Sequence, residues 1–262
     1  MDIDWHASLM VQTALAAVLL LICCMSQVHA RESEASAATW TVAPYAWAPN
    51  LRGSVGIEGL SVPIDVRVEE LAGSVKAGAM GDLRRIVGRH VIYAEGLGVD
   101  FEDGSLDQFR NLPVQAKIIF AEAGYGYRIP MRSALPNGGI IHVTPYVGLR
   151  YAQLDVAVTA ALRSLAADDE WLDPALGVLV EGPVRGRMEY AIKIDGAGFG
   201  LGRDRYASGL VALTYRITDS FRIGAGYRLS RFHAEPGGEN DLELKLTGSG
   251  PKLGLAYSFG GF

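Results

Sequence analysis

The chain has 262 residues, a formal net charge of −5 and 49% hydrophobic residues, a composition that suits one domain or a large single barrel. A net charge this close to zero gives no reason to expect a nucleic acid as a partner. The mean hydropathy of +0.17 is high for a soluble protein, yet it is too low for a membrane protein built from helices.

The first predicted element is a secretory signal peptide. Residues 9–25 form a continuous apolar run of about 17 residues, which is shorter than the ~20 that a membrane-spanning helix needs. A small-x-small site, Val28-His29-Ala30, follows it, so we expect cleavage after Ala30. No Lys or Arg precedes the run, which leaves an uncleaved anchor as the alternative. Both cysteines lie in this segment, so the mature chain would contain no disulfide.

The remainder, residues 31–262, alternates between apolar and polar residues with period two, which indicates strands with one apolar and one polar face. Arginines recur on the polar face of long, Gly-rich strands, a pattern typical of a barrel that is apolar outside and polar inside. Ten segments are long enough to cross a membrane as strands: 39–49, 74–85, 89–101, 113–128, 140–159, 171–181, 187–197, 206–217, 220–234 and 241–259.

We therefore predict an all-β fold, an antiparallel transmembrane β-barrel of about ten strands within a range of eight to twelve, in the bacterial outer membrane. Residues 51–73 are the uncertain part, because they fit either a loop that extends the first strand or an added hairpin that raises the count to twelve. An even count puts both termini in the periplasm. The short links 86–88, 182–186 and 218–219 and the longer link 129–139 then face the periplasm, and the segments 51–73, 102–111, 160–170 and 198–205 face outside.

Two strands contain an apparent change of phase. In the last strand, Leu242, Leu244 and Leu246 alternate as one outward set, and the outward set from Leu253 onward has the opposite parity. The glycines and the proline between them predict a β-bulge at 247–251. A second slip is predicted near Ile119.

Glu95 is the residue that fits least well. In alternation with Val91, Tyr93, Leu97 and Val99 it would face lipid, where a charge costs a few kcal/mol near the midplane. The glycines at 96 and 98 allow a bulge that turns its side chain inward, and this structural explanation is favoured over a functional carboxylate. Aromatic residues near strand ends, including Tyr93 and Trp47, are expected to form interfacial girdles.

An opening Trp-x-x-x-Pro-Tyr-x-Trp motif consists of Trp40, Pro44, Tyr45 and Trp47. Further landmarks are Trp171-x-Asp173-Pro174, the Gly-rich segment 196–202, Gly226-Tyr227-Arg228 and Gly250-Pro251-x-Leu253-Gly254-Leu255. Over about 40–259 the sequence resembles the uncharacterised proteobacterial outer-membrane β-barrel proteins that open with this motif. The resemblance implies the fold and the location, and it implies no established activity and no catalytic residues.

The residues predicted to line the lumen are the charged members of the inward faces. They are Lys117, Glu122, Arg128, Arg150, Asp173, Lys193, Asp195, Arg216, Arg222 and Arg228. An eight-stranded barrel is just filled by side chains and a wide water channel takes 16–18 strands, so a ten-stranded bore lies near the filled end. We expect the charges to pair with one another in a structural role, with a narrow porin-like channel for small solutes as the other interpretation.

The competing class is an outer-membrane enzyme of the lipid A or phospholipid hydrolase or protease type, or a surface binding platform using residues 51–73 and 160–170. Such enzymes need a His with Ser or Asp near the outer rim. His90 and His142 begin strands at the periplasmic end, and His233 follows the outward phase of its neighbours, so no catalytic residues are predicted. No metal cluster with ligand spacing and no cofactor motif occurs in the sequence.

The predicted partners are those of an integral barrel. They are outer-membrane lipids and lipopolysaccharide, and the barrel assembly machinery, which would recognise the aromatic C-terminal strand ending at Phe259 or Phe262. No nucleic acid is expected among them.

Overall fold

The computed structural model describes residues 38–57, 60–70, 75–103, 114–133, 139–160, 163–199, 204–235 and 243–260. The predicted signal peptide, Leu242, Phe262 and most of segment 102–111 lie outside these ranges. Within them the strands are Thr39–Trp47 (β1), Asn50–Ile57 (β2), Leu60–Val66 (β3), Val75–Val87 (β4), His90–Asp103 (β5), Val114–Tyr127 (β6), Ile129–Arg132 (β7), Ile140–Ala160 (β8), Arg163–Arg185 (β9), Met188–Ala197 (β10), Asp204–Arg216 (β11), Phe221–Ala234 (β12) and Glu243–Gly260 (β13). No helix in this part of the chain is long and apolar enough to cross a membrane.

The strands form one closed antiparallel barrel with a wall of ten strands, which confirms the predicted fold and count. Closure occurs where β1 pairs with β4 on one side and with β13 on the other. β13 pairs with β1 along one half and with β2 along the other, so β1 and β2 are two halves of a single wall strand. β6 and β7 likewise follow one another along β8. Closure gives each wall strand a hydrogen-bonded neighbouring strand on both sides, as a membrane requires.

Residues 51–73 both extend the first strand and add a hairpin. β2 continues the wall beyond Pro49, and β3 folds back onto β2 in register from Leu51↔Val66 to Ile57↔Leu60. This hairpin stands on the end of the wall and does not enlarge the ring, so the count stays at ten.

The two ends of the barrel differ. The end with Thr39, Gly260 and the tight turns 88–89, 186–187 and 217–220 is called the turn end, and the opposite end is called the loop end. The prediction of an external loop at 160–170 is wrong, because β9 already begins at Arg163. β8 has 21 residues and β9 has 23. Asp168, Asp169 and Glu170 suggest a loop by composition, but a strand that projects beyond the membrane needs no apolar outer face.

Large apolar side chains cover the outside of the wall. Ile194 is 65% exposed, Leu253 61% and Leu172 56%, whereas the charged Arg228 and Asp195 retain only 7% and 5% of their exposure. A soluble protein buries its apolar residues and exposes its charges. The reverse arrangement here is typical of a protein whose outer surface faces the hydrocarbon of a membrane.

The predicted bulge in β13 does not exist. Its pairing with β12 runs without a shift from Ala234↔Leu244 to Phe221↔Tyr257. Leu244 and Leu246 therefore point into the bore, where Leu244 is only 5% exposed, and not toward lipid. The sequence shows an apparent phase change because the bore itself becomes apolar toward the loop end.

The same correction applies to β5 and β6. Their mutual register is continuous from His90↔Tyr127 to Asp103↔Val114, with no slip near Ile119. Glu95 points inward in simple alternation with Tyr93, so no bulge is needed. The outward positions on β5 carry small residues such as Ala94 and Gly96, and this exchange of large and small residues led to the wrong assignment of its faces.

Candidate functional site

Glu95 is the centre of a charged layer at mid-height in the bore. Its carboxylate accepts hydrogen bonds from Lys193 Nζ at 2.6 Å and Arg228 Nη1 at 2.6 Å, and from Tyr45 Oη at 3.1 Å. At least three wall strands separate β5 from β10 and from β12 along either route around the barrel. These two ion pairs therefore span the bore from one wall to the other.

Two further carboxylates continue this layer. Arg150 donates to Glu122, which also accepts a hydrogen bond from Tyr93 Oη at 2.9 Å. Asp195 lies 3.0 Å from Lys193 Nζ and accepts a hydrogen bond from Tyr146 Oη at 3.2 Å. The tyrosine hydroxyls supply the extra donors that a buried ion pair needs if its geometry is to offset the loss of hydration.

Aromatic rings pack against two of these cations. The Arg150 guanidinium lies 3.7 Å from the Tyr206 ring centroid, and Lys252 Nζ lies 3.3 Å from that of Tyr45. Both are within the range of a cation–π contact. Among the described residues the layer contains four cations and five carboxylates: Arg150, Lys193, Arg228 and Lys252 with Asp82, Glu95, Glu122, Asp173 and Asp195. It is close to neutral.

An apolar layer lies in the bore toward the loop end. Leu154, Phe232, Ala234 and Leu244 are buried together, with Trp171 packed against them. The Phe232 ring centroid lies 5.2 Å from that of Trp171, and 6.1 Å from that of Phe120 on the opposite wall. The contact between Phe120 and Phe232 thus crosses the bore a second time.

The turn end carries a third layer, which is basic. Arg84 on β4 reaches Glu181 on β9 at 2.8 Å. Arg216 and Arg222 share Glu189 at 3.9 and 3.7 Å, and Arg222 Nη1 also donates to Ser258 Oγ at 2.9 Å.

The structure places the ten sequence-predicted lumen residues in three locations. Glu122, Arg150, Asp173, Lys193, Asp195 and Arg228 lie in the central layer, with Asp173 directly opposite Arg150 across the β8–β9 pair. Arg128, Arg216 and Arg222 lie at the turn end. Lys117 lies on the outer surface instead, exposed and directly opposite Asp100 and Asp155.

Sequence reasoning missed the aromatic partners of these charges. Tyr93 was assigned to an interfacial girdle and instead binds Glu122 inside the bore, and Trp47 lies 5.4 Å from the Arg228 guanidinium. The available signal was the shared parity of Tyr93 and Glu95 on one strand, which favours the same face for both.

No protein-family model matches the sequence, and no curated protein matches it. Among solved structures, the fold is similar to that of the outer membrane protease OmpT from Escherichia coli, with a TM-score of 0.54 and 10% identity over 88% of this chain and 99% of that chain. Ail, the attachment invasion locus protein of Yersinia pestis, aligns with a TM-score of 0.37 and 11% identity over 86% of this chain and 99% of that chain. An outer membrane channel from Pseudomonas putida F1 aligns with a TM-score of 0.34 and 14% identity over 88% of this chain and 97% of that chain.

The protein is an outer-membrane β-barrel. At 10% identity the likeness to OmpT concerns the fold and not the activity. The short turns of such barrels face the periplasm and their longer loops face outside, so the turn end is periplasmic and the loop end external.

His233, the histidine at the loop end, does not face the serine that is close to it in the sequence. His233 alternates with the inward residues Phe232 and Ala234, and it therefore faces outward while Ser230 faces the bore. His90 Nδ1 lies 2.6 Å from Tyr125 Oη at the turn end. Within the described ranges no group of three or more His, Cys, Asp or Glu side chains could hold a metal ion.

Proposed function

We propose that this protein is a closed, non-conducting outer-membrane barrel whose role depends on its wall and its external rim. The observation that carries the proposal is that side chains cross the bore at three heights. Phe120 and Phe232 meet at the loop end, Glu95 binds Lys193 and Arg228 at the centre, and Arg84 binds Glu181 at the turn end.

The free energy of these contacts supports a closed state. Removing one member of a buried ion pair costs about 3–5 kcal/mol, because the other member is left unpaired at low dielectric. A hydrated ion that passed the centre would have to separate such pairs. It would then meet an apolar layer whose buried members, Leu154, Phe232, Ala234 and Leu244, carry no polar side-chain atom.

Conductance in planar lipid bilayers tests the proposal. The refolded wild-type barrel is expected to insert without producing current steps at moderate voltage. Insertion is verified independently by the protease resistance of the barrel in the same bilayers. Regular, reproducible steps from the wild type would support the narrow channel for small solutes and would overturn the closed barrel.

The external rim is the second candidate site of action. A membrane crossing takes ~9–11 residues, and β8 and β9 have 21 and 23, so this hairpin projects well beyond the bilayer. A projecting, strand-stiffened hairpin suits a surface binding platform better than it suits catalysis. We therefore infer a non-enzymatic role, supported by the opposite orientation of His233 and Ser230.

We also propose membership in the uncharacterised outer-membrane family defined by the Trp-x-x-x-Pro-Tyr-x-Trp opening. The motif has an architectural use in this barrel, because Tyr45 donates to Glu95 and Trp47 lies near Arg228. A survey of family sequences should find a carboxylate at the Glu95 position wherever the Tyr is present. Frequent loss of the carboxylate with the Tyr retained would contradict this assignment.

The C-terminal strand is the proposed signal for the assembly machinery. Tyr257 and Phe259 point outward at the turn end, with ring centroids 5.9 Å apart. Phe259→Ala should lower the outer-membrane yield in cells more than it lowers refolding yield in detergent.

A further inference from the structure

A groove runs along the outer surface of the wall at the loop end of β9, β10 and β11. Its volume is about 750 Å³, and its lining is mainly apolar. Leu176, Ile194 and Phe199 form its sides, and they are 51%, 65% and 49% exposed. Because these side chains are on the outside of a transmembrane barrel, the groove faces the outer leaflet.

Small residues make the groove possible. Gly196 is directly opposite Leu176 on one neighbouring strand and Ala207 on the other, so a floor without bulky side chains lies between the taller ones. Phe199 closes the upper end from a backbone with φ of 42°, in the left-handed region that a bulky residue rarely adopts. A β-carbon added at Gly196 would lie 3.3 Å from the Phe199 ring, so the phenyl group already packs over this glycine.

Two arginines stand at the loop end of the groove. Arg205 lines the groove itself, and Arg231 is directly opposite Ala207 on β12. Arg205 lies 3.5 Å from Glu235, with both side chains at least half exposed, and such surface pairs exchange partners readily. Among the described residues no carboxylate forms an ion pair with Arg231.

Further cations lie beside this end of the groove. Lys245 is in the same outward row as Arg205, and Arg52 shares the next row with Arg231. Lys245 pairs with Glu243, Arg52 with Asp65 and Arg205 with Glu235, so the cations and carboxylates on this side nearly balance. Arg231 is the cation of this group that forms no ion pair among the described residues, and it adjoins the groove floor at Ala207.

We propose that this groove binds a phosphorylated lipid of the outer leaflet, lipid A, with an acyl chain along Ala207 beside the Phe199 ring and a phosphate held by Arg205 and Arg231. An acyl chain is apolar and matches the apolar lining of this lipid-facing groove. A guanidinium binds a phosphate through two parallel N–H···O bonds. The proposal assigns a specific lipid site, which the closed bore neither requires nor excludes.

Native mass spectrometry of the purified barrel in detergent micelles tests the proposal. The probes are bisphosphorylated lipid A, the same lipid A with both phosphates removed, and phosphatidylglycerol. The variants are Arg205→Gln with Arg231→Gln, each single substitution, and Ala207→Leu, which fills the floor without changing charge. Lys117→Gln is the matched control, an outward cation at the loop end of the opposite wall. Heat-dependent mobility on gels verifies that each variant is folded.

Lipid A is expected to bind the wild type and the control with equal affinity. The double Arg variant and the removal of the phosphates should each weaken binding at least ten-fold, and Ala207→Leu should weaken it several-fold. Equal binding by the double Arg variant, or equal loss in Lys117→Gln, would overturn the assignment of the phosphate site. Wild-type affinity in Ala207→Leu would overturn the groove, and equally tight phosphatidylglycerol would overturn lipid A as the ligand.

Discussion

Glu95 accepts hydrogen bonds from side chains on three other strands, so this single carboxylate links four strands of the wall. Its partners are 98 and 133 residues away along the chain for Lys193 and Arg228, and 50 residues away for Tyr45. No local pattern reports contacts at that separation. Alternation could therefore show that Glu95 was exceptional on its strand, but it could not show that opposite walls converge on it.

Glu95→Gln is the first test at the scale of one residue. The amide keeps the volume and removes the charge that neutralises Lys193 and Arg228, so we expect a loss of about 3–5 kcal/mol in the free energy of unfolding. Urea unfolding in detergent micelles followed by tryptophan fluorescence measures it. Glu170→Gln is the control, because this exposed carboxylate contacts only Tyr151 in the described part of the chain, and its effect should stay below about 1 kcal/mol. Equal losses in both variants would contradict a central role for Glu95.

A second test concerns Gly250 on β13, which lies beside Ala48 at the break between β1 and β2. A β-carbon at Gly250 would lie 2.1 Å from the carbonyl oxygen of Ala48, whereas one at Gly209 would meet no atom within 4 Å. Gly250→Ala should therefore destabilise the barrel by about 1–3 kcal/mol through overpacking against backbone. Gly209→Ala should change stability by less than about 0.5 kcal/mol. The unfolding midpoints of the two variants are compared. A Gly250→Ala variant as stable as the wild type would contradict the close approach of Gly250 to Ala48.

Along the strands, the sequence predicts the alternation of side chains more reliably than it predicts which set of side chains faces the bore. The strands β8 to β12 were assigned correctly because large aliphatic residues face lipid and charges face the bore. On β5 and on the loop-end halves of β6 and β13 the same period predicted the wrong face, because Phe120, Leu244 and Leu246 lie inside and small residues lie outside. The pleat of a strand fixes the alternation of its side chains between two faces. The polarity of each face depends on its surroundings, and in a layered bore these surroundings change along a single strand.

The long β8–β9 hairpin gives a prediction about tolerance to shortening. Val156 pairs with Ala167 beyond the apolar layer, so replacing residues 157–166 by an Asn-Gly turn removes only projecting backbone. Folding yield and heat-dependent gel mobility should match those of the wild type. A deeper excision of residues 151–172 also removes Leu154 and Trp171 from the apolar layer, and it should abolish folding. Failure of the shorter excision would show that the tip is needed for the barrel itself.

For the whole molecule, the proposed closure depends on three successive layers. The variant Phe232→Ala opens only the loop end, and Glu95→Ala with Lys193→Ala opens only the centre, so each is expected to remain silent in planar bilayers. The variant that combines these three substitutions with Glu181→Ala, which also breaks the Arg84 bridge at the turn end, should produce small current steps. Arg84, Arg128, Arg216 and Arg222 then face one carboxylate, Glu189, at the turn end, so the steps should favour anions over cations. A reversal potential measured across a salt gradient gives that preference. Steps in either partial variant would mean that one layer alone closes the bore, and cation selectivity would contradict the basic character of the turn end.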